Sequence, residues 1–182
     1  MIIILVALLG IAALQGRAQV AELEAQQRAM ALILLSDITD RMLANKQALS
    51  CFTVTTNTAT GTPYLGSAGA DETPAPACAA STAAYNTLAN DAINDIDDLL
   101  EGAAETAGGA NVGGMIGARA CISYDAATEL VGEPSTGLYT VAVSWQGMAD
   151  LVTPATACAK DLYGTEEKRR TVATTFRLAD LL

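Results

Sequence analysis

The first 48 residues hold no proline, and their only glycines are Gly10 and Gly16. The stretch AQVAELEAQQRAMALILLSDITDRMLANKQAL is built from strong helix formers, with Leu23, Met30, Leu34, Ile38 and Met42 as its apolar stripe, recurring at helical spacing, every fourth residue, after residue 27. The pattern predicts one long helix over residues 1–48, apolar all round at its start and amphipathic later. At 1.5 Å per residue it is about 70 Å long, more than a small domain can enclose. Its first part must protrude, and the rest of the fold has to be built on the second half of a rod.

The opening MIIILVALLGIAALQ runs from Met1 to Leu14 without a charge or a strongly polar group. A membrane span needs about 20 apolar residues, and a secretory signal begins with basic ones. The run meets neither requirement as it stands.

Charge is unevenly spread. Residues 1–50 carry Glu22, Glu24, Asp37 and Asp40 against Arg17, Arg28, Arg41 and Lys46, so the whole net charge of −10 falls in residues 51–182. An acidic globular part repels phosphate backbones, which argues against a nucleic-acid partner. Four cysteines, Cys51, Cys78, Cys121 and Cys158, all follow the hydrophobic region; none forms a CxxC pair, and the chain has no histidine. Zinc ligation therefore has little support, and two disulfides in an oxidising compartment fit better. Three connectivities are possible; the expected one is Cys51–Cys78 with Cys121–Cys158, because each closes a local segment. Loops of this size stabilise a fold by about 3 kcal/mol each in the chain-entropy description.

Residues 51–80, CFTVTTNTATGTPYLGSAGADETPAPACAA, read as an extended loop closed at both ends by cysteine. A second, shorter helix is predicted over 81–105, with Leu88, Ile93, Ile96, Leu99 and Leu100 as its apolar stripe and a Ser81 or Thr82 hydroxyl as its cap. GGANVGGMIG marks a further loop. From residue 119 the period becomes two: ARACISYDAATELV, GLYTVAVSWQG and RRTVATTFRLAD are strand candidates, with EPSTG turning the first pair into a hairpin. A long helix on a small antiparallel sheet of three or more strands is an α+β fold.

No catalytic constellation emerges. Histidine is absent, and no serine or cysteine has an evident activating base, so the chain does not read as an enzyme. Asn90, Asp91, Asn94, Asp95, Asp97 and Asp98 in NDAINDIDDLLE are oxygen ligands in type. They lack the alternation and central glycine of a calcium loop, and on a helix they point in several directions, so they read as a solvated acidic face with no metal. No cofactor is expected. Trp145 shares a strand face with Val141 and Val143, which assigns it to the core rather than to an adhesive contact. EEKRR, residues 166–170, reads as a charge-balanced turn before the last strand.

LLGIAALQ (8–15), RAMALILLSDITDRMLANK (28–46), SWQG and CAKDLYGTEEKRR (158–170) together resemble the type IV pilin-like proteins, and among them the PilV minor pilins, or type IV pilus modification proteins. The resemblance covers the helix and the final third, and the middle poorly. It implies residues 1–50 as the pilin helix, with 1–14 as the membrane or filament-core part, and 51–182 as a periplasmic and later extracellular domain, of which 51–80 is a variable loop and 119–182 the sheet region. It also implies a structural subunit of pilus assembly or priming, with a share in adhesion or twitching. Its partners would be other minor and major pilins, met through the helix, and the bacterial inner membrane before assembly. Leu34, Ile38 and Met42 would pack against the sheet, against neighbouring helices, or both. Family members begin with a basic leader followed by a pattern like F-T-L-I-E-V. This chain has no acid before Glu22, and on the family pattern about nine mature residues would precede Met1, bringing the apolar run to roughly 23. A minor pseudopilin of a type II secretion system, built on the same helix, and a membrane-anchored periplasmic binding module are the two other readings.

Overall fold

The computed structural model describes residues 2–67, 78, 80–102, 106–111, 114–131 and 136–178. Helix α1 runs Ile2–Ala44. It ends four residues earlier than its composition suggests. The Asn45 side-chain amide donates to the Arg41 carbonyl at 2.9 Å, competing with helix continuation, and the chain tightens into a 3-10 segment, Lys46–Phe52, kinked at Ala48. The turn delivers Ala48, Leu49 and Phe52 to the core and Cys51 to its disulfide; a straight continuation would have carried them past the domain.

The 53–66 part of the expected loop lies along the sheet. Thr55 and Leu65 bond to Ile122 and Ala120 through backbone N–H groups at 2.9 and 2.8 Å, covering one sheet edge. Residues 68–77 of that loop lie outside the described residues. Helix α2, Ala83–Glu101, begins after Thr82, but neither expected hydroxyl caps it. Asn86 instead ties down the chain entering the helix, exchanging two 2.8 Å bonds with the Ser81 backbone. Its buried stripe is Ala89, Ala92, Ile93, Ile96 and Leu100; Leu88 and Leu99, expected inside, are exposed. The GGANVGGMIG region contributes to a two-residue hairpin that was not foreseen, β1 (Thr106–Ala107) with β2 (Ala110–Asn111). Its turn is Gly108–Gly109, both at positive φ, the geometry that matches the twist of a tight hairpin.

Strands β3 (Arg119–Asp125), β4 (Leu138–Gln146) and β5 (Arg169–Phe176) form an antiparallel meander in that order. The pairing sets Cys121 opposite Ala142, and Trp145 opposite Arg170. One face presents Ala120, Ile122, Tyr139, Val141, Val143 and Trp145 to a single core shared with α1, α2 and Phe52. Alternation predicts that the other face is wet. It is instead covered by a second cluster in which Tyr64, Ala159 and Tyr163 close over Ala142 and the Cys121–Cys158 disulfide. The central strand is thus buried on both sides.

Candidate helix-packing surface

Helix α1 divides at Glu24. Beyond it, Ala31, Leu35, Ile38 and Met42 face the sheet and are buried. Ile38 and Met42 are where the sequence puts them; Leu34 is half-buried at the rim of the same core, and Met30 and Leu23 are exposed. Periodicity weighted by side-chain size favours Met30, whereas the packed stripe is completed by the smaller Ala31, which lets the helix lie close to the sheet.

Before Glu24, every residue from Leu8 to Leu23 is exposed. This stretch lies on all sides of the helix and includes Leu8, Leu9, Ile11 and Leu14, each more than half exposed. Together with Ile2–Ala7 it makes a rod of about 33 Å at 1.5 Å per residue. So much contiguous exposed apolar surface on one element exceeds ordinary surface scatter and makes it the candidate interaction surface.

The rod is fixed to the domain by a contact the sequence did not advertise. Glu24 Oε1 accepts from the backbone N–H groups of Met148 and Ala149, both at 3.0 Å, and from Arg170 Nη2 at 3.2 Å. The Arg170 guanidinium also donates to the Ala149 and Glu167 carbonyls. Gly147 makes this possible, because a Cβ there would stand 2.6 Å from the guanidinium carbon. Burial pushes the Glu24 carboxyl up, but the bonds from Ala149 and Met148 and the charge of Arg170 outweigh it, and its pKa falls below the ordinary value. Helix and loop form a shallow apolar groove here, lined by Ala13, Gly16, Val20, Ala21 and Ala149 together with Arg17 and Glu24.

EEKRR is therefore more than a turn. Arg169 is 2% exposed, pairs with Glu166 at 2.6 Å and donates to the Pro154, Thr156 and Cys158 carbonyls, pinning the loop that covers the sheet. The Arg169 guanidinium holds the Glu166 carboxyl below its ordinary range. Nearby, Arg119 lies between two rings, 5.1 Å from Tyr64 and 4.8 Å from Tyr163, a sandwich that also went unforeseen. Burial, set against the nearby Arg119 charge, pushes the Tyr163 hydroxyl up to about 12.

Both disulfides have the expected connectivity, Cys51–Cys78 and Cys121–Cys158. Trp145 is buried in the main core. Members of the acidic run on α2 act as ties: Asp97 accepts from the Gly66 N–H at 2.6 Å, Asp95 pairs with Arg41 of α1 at 3.0 Å, and Asn90 accepts from the Cys78 N–H. Glu101, at the end of the run, is shifted up by burial and by the charges of Asp97 and Asp98. Among the described residues, no three acidic, cysteine or histidine side chains gather around a common point.

Among the described residues, no helix is long and apolar enough to cross a membrane. Comparison with protein-family models, with curated proteins and with solved structures returns no match.

Proposed function

We propose that this chain is a minor pilin of the PilV kind, a structural subunit that enters or primes a type IV pilus through α1. One observation carries the reading: the apolar half of α1 stands clear of its own domain, exposed all round, on a head braced by two disulfides. A rod of this kind is stable only when lipid or other helices cover it. Assembly supplies that cover, as the rod leaves the inner membrane for a bundle of similar helices and the head faces outward. Its described apolar stretch is embedded by this reading rather than required to span. The motifs at 28–46 and 158–170 favour a pilus over a secretion system, and the braced sheet suits an extracellular position.

The test is a photo-reactive amino acid at Ile11 or Leu14 in the producing bacterium, with deletion of the gene alongside. Cross-links to pilin-sized subunits and loss of surface pili on deletion are the expected results. Cross-links to lipid alone, with piliation and twitching unchanged, would overturn the reading. Intact pili with failed protein export would move the chain to the pseudopilins.

A further inference from the structure

Around the protruding rod the apolar residues are not equivalent. Ile4, Ile11, Leu14, Ala18, Ala21 and Ala25 follow one another at intervals of seven, three, four, three and four, the repeat of a two-helix seam. All six are exposed, and charge interrupts none of them. The seam lies roughly a third of a turn from the side that carries Ala31, Leu35, Ile38 and Met42, and of its six residues Ala21 also lines the groove beside Ala149, so a partner along it runs past the edge of the head. Its lower half consists of alanines, which let two helices approach closely.

The flanks say what that partner is. Arg17 borders the seam on one side and Glu22 on the other, five residues further on. That is the offset at which the facing flanks of two parallel, in-register helices meet. Neither residue makes a hydrogen bond or ion pair among the described residues, in contrast to Glu24, Asp37 and Arg41 on the same helix. We infer that α1 pairs side by side with α1 of a second copy of this chain, parallel and in register, with Arg17 of each copy facing Glu22 of the other. A twofold axis along the pair repeats the contact, so two ion pairs close one seam and the two heads fall on opposite sides. The inference rests on reading α1 as an assembly helix, and names a second copy as the occupant of that surface.

Disulfide trapping of the full chain in nonionic detergent micelles tests it. Single Ala18→Cys and Ala21→Cys variants should form homodimers readily, and Gln19→Cys and Leu23→Cys, on the far side, should not. Among the described residues, those before Glu24 are exposed and make no hydrogen bond or ion pair with the head, so these changes leave its core and the Glu24 latch intact. In the Ala21→Cys background, Arg17→Glu turns two attractions into two repulsions and should lower the trapped fraction about tenfold, as should Glu22→Arg. The double swap, Arg17→Glu with Glu22→Arg, should restore it. Equal trapping on all sides, or a double swap no better than either single, would overturn the pairing. Run in the producing bacterium, the same cysteines separate the two readings: cross-links to other pilins without homodimers remove this inference and leave the pilin reading, and homodimers without any pilin partner do the reverse.

Discussion

A single carboxylate, Glu24, ties α1 to a loop of the head at the point where the helix leaves the core. It accepts three hydrogen bonds with one oxygen, two of them from consecutive backbone N–H groups on a loop 124 residues away in sequence. Charge-assisted bonds of this kind are worth about 1.5–3 kcal/mol each, and losing the acceptor leaves Arg170 without its counter-charge. Glu24→Ala should therefore speed hydrogen exchange at the Met148 and Ala149 amides by about tenfold or more, while the β3–β4 amides stay protected; equal exchange in both variants would refute the latch. The pH dependence has a definite sign. Glu24 and Glu166 both titrate below the ordinary 4.5, so they bind protons more weakly folded than unfolded. Their contribution is complete above that value and is lost as pH falls through the lower folded values. Acid unfolding below about pH 4 should be shallower in a Glu24→Gln, Glu166→Gln double variant. Glu101, shifted upward, works in the opposite sense and gains in relative stability as acid is added. Arg169 is the more costly residue to lose: Arg169→Ala strands Glu166 and three backbone carbonyls, and should destabilise the head by about 3–5 kcal/mol in urea denaturation.

Among the elements, α1 and the central strand β4 repay comparison. In α1, truncating Ile38 or Met42 to alanine should cost about 2–5 kcal/mol, and the same change at exposed Ile33 less than about 0.5. A helix this long was legible because nothing in residues 1–48 interrupts it, and its stripe was legible to within one position. The error at Met30 has a plain cause, since a large residue on a rim and a small residue in a core look alike to a periodicity weighted by size. Strand β4 misled in a different way. VAVSW alternates large and small, which reads as one dry face and one wet one, yet Ala142 and Ser144 are small because a loop lies on them. That loop is held by Arg169, Tyr163 and a disulfide that are distant in sequence, and local pattern carries no record of such contacts. The cysteine pairing was legible because local closure leaves each loop short. The Glu24 latch was not, because a glutamate among glutamines on a helix has no distinguishing neighbour.

For the whole molecule, the division at Glu24 predicts separable halves. A chain beginning at Ala21 keeps the latch and the whole core, so its thermal midpoint should match that of the full chain while its tendency to associate falls. A fragment that fails to fold would show that the rod contributes to the head. The disulfides act on the head alone. With sequence separations of 27 and 37, each should contribute about 3.5 kcal/mol by restricting the unfolded chain, so Cys121→Ser with Cys158→Ser should lower stability by that order under oxidising conditions.

The placement of those two bridges also has a mechanical meaning. Cys51 lies just past the end of the rod, and its bond to Cys78 hands tension from α1 directly to the segment leading into α2; the second bridge does the same from β3 to the loop before β5. Stretched between its two ends, the oxidised molecule keeps both loops off the load path, and only on reduction does their chain pay out, adding roughly 20 nm of contour in a single-molecule pull. The two bridges thus set an upper limit on how far the oxidised molecule can be drawn out, because only the chain outside the two loops, α2 and β5 included, remains free to extend.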